Sequence, residues 1–313
     1  VPPIDPDTTN PKVVSELAKL YEASAARFRK AVLDPPGKTP GAVAFNQARA
    51  SQLLAQVNDE VATLKHQATT WTSKALHSAV VKGVEEADKQ AHSAGVAPLP
   101  PIDSPNGSFA ILDRRAVTLL ARDTVGDLFK AADSLQRQMG SVLRHMQATG
   151  VTNAEVNRIL AGGIIEGKPA AAIAQLKDAL EKIHGETVTI ETKSGPRNYE
   201  TGYYARLVAN SKMQEATMRG RHERLADHGL DLVWIDGTTT LSPCTHLLGR
   251  WFSLSGESKK YPAFETIYPT CPPYFFRHPN CHKYTVPVVE SLASDKAKAK
   301  ALGDGERHQK GAA

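Results

Sequence analysis

The sequence is short of three things. Aromatic residues make up 6% of its 313 positions, cysteines number three, and no apolar run approaches the roughly 20 residues that a membrane-spanning helix requires. Three cysteines in a chain this long exclude a disulfide scaffold, and the odd number leaves at least one unpaired. The chain opens Val1-Pro2-Pro3-Ile4-Asp5-Pro6, without a basic n-region or an apolar h-region, so no secretory signal is expected. Neither sign of charge dominates: 38 Lys and Arg stand against 33 Asp and Glu, a formal +5. That balance suits nucleic acid nearby but falls far short of proving contact. No membrane partner is expected. At roughly 100–200 residues per domain, the length implies two or three units.

What is present in quantity is helical periodicity. From Lys12 to Leu33, Val13, Leu17, Leu20, Tyr21, Ala25, Phe28 and Val32 recur mostly at three- and four-residue steps, and Asp34-Pro35-Pro36-Gly37 ends the run. A longer pattern extends from Phe45 through Leu53, Val57, Val61, Leu64, Trp71, Leu76, Val80 and Val84 to Ala87, with Gly83 as its one glycine. A second long run carries Val117, Leu120, Leu128, Leu135, Met139, Val142 and Met146. The Pro-rich stretch between them, 97–107, continues neither helix, so a helical hairpin is expected, its first arm on the order of 70 Å if unbroken. Two short helices follow, one opened by the capping box Thr152-Asn153-Ala154-Glu155 and one between Pro169 and Gly185. The glycine-rich connection 161–168 lacks the Lys-Ser/Thr of a phosphate loop.

At Glu186 the period changes to two. Thr187–Thr192 and the turn Lys193-Ser194-Gly195-Pro196 predict a β-hairpin, followed by a helix from Thr201 to His228 closed by Gly229. Leu230–Asp236 and Tyr284–Val289 predict strands, and the rest beyond Gly237 reads as loop. The expected fold is therefore α+β, mainly α. Residues 1–100 hold the N-terminal helices and the first long helix, and 101–185 the second long helix and two short ones. Residues 186–290 form a small α+β domain with a Cys/His-rich loop region, and 291–313 a flexible tail.

That loop region concentrates Cys244, His246, Cys271, His278, Cys281 and His282. Thiolates and imidazoles in fours are what zinc prefers, and Cys244-x-His246 and His278-x-x-Cys281 have knuckle-like spacing. A structural zinc would substitute for the core that a loop-rich stretch lacks. Metal-free reduced thiols, or a Cys244–Cys271 or Cys271–Cys281 disulfide, remain alternatives. Cys244, His278 and Asn280 also match the residue types of a thiol hydrolase. However, His278 and Asn280 are near neighbours, and nothing around Cys244 resembles a nucleophile's helix-start setting. No catalytic residue is assigned. A zinc-dependent or thiol nuclease or protease is the alternative reading. Candidate DNA contacts are Arg206, Lys212, Arg219, Arg221 and Arg224; interleaved acids favour a solvated, salt-bridged helix face instead.

The C-terminal third carries an ordered set of motifs. They are Tyr203-Tyr204-Ala205-Arg206-Leu207-Val208, His228-Gly229-Leu230-Asp231-Leu232-Val233, Ser242-Pro243-Cys244, and Gly249-Arg250-Trp251-Phe252-Ser253-Leu254-Ser255-Gly256. Tyr261-Pro262, Pro272-Pro273 and His278-Pro279-Asn280-Cys281-His282 complete the set. In that order, over roughly residues 150–290, they resemble the minor capsid or head-morphogenesis proteins of tailed bacteriophages, the Mu protein F-like group. Here Tyr274-Phe275-Phe276-Arg277 separates Pro-Pro from the His-Pro-Asn-Cys box, and His282-Lys283 follows the box where the family usually has Arg and then His or Cys. A zinc site would then use Cys244, His278 and Cys281, with His246, Cys271 or His282 as fourth ligand. The resemblance implies a structural protein rather than an enzyme: a virion component inside the capsid near the portal vertex, assembled in the host cytoplasm. Its implied partners are the portal protein, the major capsid protein and packaged double-stranded DNA, and its implied work is head assembly and DNA packaging or ejection. Metal analysis of the purified protein separates the readings of the cluster: a closed zinc site gives about one zinc per chain, and the thiol and disulfide readings give none.

Overall fold

The structure is a computed structural model that describes residues 10–33, 47–100, 111–151, 153–161, 169–184, 187–192, 195–237, 247–267 and 283–303. Helices come first: α1 (Pro11–Leu33), α2 (Gln47–Ser93), α3 (Ile111–Thr149), α4 (Asn153–Leu160) and α5 (Ala170–His184). A hairpin of β1 (Thr187–Thr192) and β2 (Gly195–Glu200) leads into α6 (Thr201–Asp227). Strands β3 (Leu232–Gly237), β4 (Trp251–Ser253) and β5 (Lys283–Pro287), two short 3-10 turns and α7 (Asp295–Gly303) complete the order. The protein is mainly helical with small antiparallel sheets toward the C-terminus, an α+β chain as its periodicities indicate. Both long helical runs are unbroken. Among the described residues no helix is long and apolar enough to cross a membrane.

The chain forms two compact units, and neither is continuous in sequence. One comprises Lys12–Thr72 and Asp123–Val208; the other comprises Val1–Pro11, Ser73–Arg122 and Ala209–Ala313. The serial division expected from the sequence follows the order of elements, whereas these units follow which helix segments pack together.

In the unit of residues 12–72 and 123–208, α1 buries Val14, Leu17, Ala18, Tyr21, Ala25 and Phe28, a stripe at helical spacing. The Tyr21 hydroxyl donates to the Leu128 carbonyl at 2.8 Å, and the Trp71 indole donates to the Val13 carbonyl at 2.9 Å. Burial pushes the Tyr21 phenol far above its ordinary pKa. The hairpin of long helices pairs antiparallel here, through Gln136 to Asn58 at 2.7 Å and Lys65 to Asp133 at 2.6 Å. Val188 and Ile190 of β1 turn inward.

In the other unit the sheet order is β4-β3-β5, with both pairings antiparallel. Val233 and Ile235, with Phe252 opposite Val233, lie on one face of this sheet, and Tyr284 and Val286 lie on the other; all five belong to a core that includes Ala87 and Ala91 of α2 and Met218 and Leu225 of α6. On another side, Trp251 and Tyr261 pack with Ala297 and Ala301 of α7. Thus the segment 291–303 is ordered against the sheet, where a flexible tail was expected; residues 304–313 lie outside the described residues. Strand β4 was also unforeseen. Three residues are too few to show a period, but all of them are buried. The described part of the loop region contributes Leu247, Phe252 and Phe264 to a core shared with α2 and α6.

Two glycines decide how α2 and α6 meet. A Cβ on Gly83 would land on the Thr217 carbonyl of α6, and a Cβ on Gly220 would land on the Val80 carbonyl of α2. Backbone, unlike a flexible side chain, cannot swing aside. Helix α6 ends in a Schellman motif: Gly229 adopts φ 70°, its N–H reaches Ala226, and the Leu230 N–H reaches Leu225. Both leucines are buried, supplying the apolar contact that accompanies that motif. In an exposed helix, Gly→Ala would stabilise by about 1 kcal/mol. Here we expect Gly83→Ala and Gly220→Ala each to destabilise by about 3 kcal/mol through overpacking, read as a lower urea midpoint.

Candidate functional site

The predicted ligands Cys244, His246, Cys271, His278, Cys281 and His282 all lie outside the described residues, as does Asn280. Their flanks are described. Gly237, the last residue before the first of these segments, is the registered partner of Lys283, the first residue after the second. Among the described residues, no group of three His, Cys, Asp or Glu side chains could hold a metal ion.

The predicted DNA contacts on α6 have diverse environments. Arg206 is exposed and pairs with Glu22 at 3.2 Å. Lys212 pairs with Glu215 at 3.3 Å, and Arg219 is half-buried. Arg221 and Arg224 must be withdrawn from the list, because their side chains are 0% and 2% exposed and are matched within the protein. The Arg221 guanidinium pairs with Glu86 of α2 and donates to the Thr285 carbonyl of β5 at 3.1 Å. Burial lowers its pKa to about 10, which still leaves it charged at neutral pH. Arg224 forks onto Asp88 at 2.6 and 3.2 Å and donates to the Pro100 carbonyl at 2.8 Å. His228 joins the same carboxylate at 2.7 Å. His222 is fully buried, with Nε2 2.8 Å from the Thr285 hydroxyl and its ring edge-on to Phe264. Burial, reinforced by the Arg221 charge, lowers its pKa to about 3, so the ring is neutral.

The expected solvated, salt-bridged face of α6 is therefore corrected at these positions. Its acids at 200, 215, 223 and 227 were expected to balance its bases. The decisive carboxylates come instead from α2, more than 130 residues earlier. Sequence reasoning missed Glu86, Asp88, His222 and Thr285. The visible signal was a glycine in the interior of each of two helical runs, Gly83 and Gly220, a residue that costs helix stability unless close packing requires it.

A second constellation joins the motif blocks. Asp231, after the α6 cap, accepts the Ser253 hydroxyl at 2.5 Å and the Ser255 N–H at 2.6 Å. Burial alone would raise its pKa, but these hydrogen bonds hold the carboxyl below its ordinary value. Ser253 N–H reaches the Pro262 carbonyl at 2.9 Å, and Tyr261 packs on Trp251 with centroids 5.3 Å apart. Gly249, at φ 78°, donates to the Ile235 carbonyl. These contacts fasten loops to strands. No family model, curated protein or solved structure matches the chain.

Removing one member of a buried ion pair strands the other. Glu86→Gln should cost about 3 kcal/mol, and the double variant Glu86→Leu with Arg221→Met should recover most of that loss. Urea unfolding of wild type, the single variant and the double variant checks this. A double variant no more stable than the single one would show that the site needs the charge itself.

Proposed function

We propose that this chain is a structural minor head protein of a tailed bacteriophage, bound to the portal inside the capsid and acting in head assembly and DNA packaging or ejection. One observation carries the reading: the motif blocks behind the resemblance to the Mu protein F-like group interlock. The block 228–233 caps α6 and supplies Asp231; the block 249–256 supplies the Ser253 and Ser255 groups that Asp231 binds; Tyr261-Pro262 holds Ser253 and Trp251 in turn. Motif residues that bond to one another maintain a shape, which is the work of an assembly component. The pairing of buried Arg221 with Glu86 and of buried Arg224 with Asp88 supports scaffolding better than turnover.

The same proposal places the portal protein, the major capsid protein and packaged double-stranded DNA as partners, with assembly in the host cytoplasm. Of the basic candidates, exposed Arg206 remains the most accessible to phosphate. A structural zinc on Cys244, His278 and Cys281, completed by His246, Cys271 or His282, belongs to this reading. It is supported by the pairing of Gly237 with Lys283, which sets the start of one ligand-bearing segment beside the end of the other.

Particles made by the genome encoding this chain provide the test. Gradient-purified virions should contain the protein at far fewer copies than the major shell protein, and particles assembled without portal should lack it. Absence from mature virions and from assembly intermediates would overturn the proposal.

A further inference from the structure

The two edges of the β1–β2 hairpin are treated differently. On the β1 edge, the Ser134 hydroxyl of α3 accepts the Thr189 N–H and donates to the Thr189 carbonyl, both at 3.0 Å. One side chain thus closes that edge. Thr189 is registered opposite Asn198. Because both backbone groups of Thr189 point away from β2, this is a non-hydrogen-bonded pair, and the Asn198 N–H and C=O point away from β1. Alternation gives the same outward direction to Pro196 and Glu200. That parity agrees with the chemistry, since Pro196 has no N–H to give to β1. Among the described residues no strand lies beyond β2, and Pro196, Arg197, Asn198 and Glu200 are exposed.

We infer that the β2 edge pairs with β2 of a second copy of this chain, antiparallel about a two-fold axis at Asn198. Symmetry requires such a ladder to centre on a residue opposite itself. With Asn198 at the centre, its outward N–H and C=O meet the same groups of the second copy and exchange hydrogen bonds. Arg197 then stands opposite Tyr199 of the second copy, and Tyr199 opposite Arg197. These are non-hydrogen-bonded positions, where side chains approach most closely, so each makes a cation–π pair. Pro196 falls opposite Glu200. The Glu200 N–H can reach the proline carbonyl, while the donor that proline lacks is not missed. Glu200 immediately precedes α6, and as N-cap its carbonyl is taken by that helix. The one position that would oppose strand addition thus meets the one acceptor already used. Tyr203, 47% exposed and stacked on Tyr199 at 6.3 Å, extends the aromatic surface.

The inference is independent of the function proposed above and is tested by register-specific cross-linking of the full chain. In a hydrogen-bonded antiparallel pair the Cα atoms lie about 5.5 Å apart, within disulfide range. Under mild oxidation Asn198→Cys should form a covalent dimer at least about tenfold faster than Arg197→Cys alone. A mixture of Arg197→Cys with Tyr199→Cys should give the mixed dimer, and wild type should give none of these species. Asn198→Pro removes the outward N–H and one exposed side-chain bond from the Thr189 hydroxyl but no backbone bond to β1, so it should keep the wild-type circular dichroism while sedimenting as monomer where wild type is dimeric. Cross-linking of Asn198→Cys no faster than Arg197→Cys would overturn the inference, as would a wild-type chain that stays monomeric up to about 1 mM, where even weak pairs are populated.

Discussion

Backbone touches backbone where α2 crosses α6, and much of the sheet-bearing unit follows from that contact. With Gly83 facing the Thr217 carbonyl and Gly220 facing that of Val80, no side chain separates the helices at the crossing. Residues one turn further along then have short reach and few choices. Arg221 and Arg224 leave α6 into a space where α2 presents Glu86 and Asp88, and β5 presents the Thr285 carbonyl. A wider crossing would admit water to these groups; a close one obliges each guanidinium to be matched inside the protein.

The same crossing sets the floor for the sheet. Ala87 and Ala91 are small enough for Val233, Ile235 and Phe252 to settle on α2, while Met218 and Leu225 continue that floor along α6. The Schellman turn then sends the chain from α6 directly into β3, so Asp231 arrives where it can gather Ser253 and Ser255. Charge and hydrogen bonding in this unit serve position. Arg221 and Arg224 each have a carboxylate from α2, and Asp231 ties β4 to the loop at Ser255.

Much of this was legible in the sequence. The stripe in α1, the two unbroken long helices, the hairpin after Glu186 and the glycine closing α6 follow from local period and cap chemistry, which act over a few residues. What was illegible is non-local. Helix α6 reads as polar, with Arg and Glu interleaved, yet it is largely buried, because its charges are answered from α2. Strand β4 is too short to carry a pattern, and α7 uses alanines where a conventional helix would show larger apolar residues. The Cys/His candidates fall outside the described residues, so only their flanking strand ends bear on them.

The separation between Glu86 and Arg221 also has a temporal meaning. Their 135-residue spacing contains all of Asp123–Val208, a large part of the other unit. A ribosome adding about 5–20 residues per second completes α2 roughly ten seconds before the matching cation exists. For that interval the carboxylates at 86 and 88 have no arginine from α6 to bind and remain hydrated. The acids that later anchor a buried network can thus first act as solubilising groups, keeping the future α6-binding surface of α2 from sticking elsewhere while the intervening chain is made.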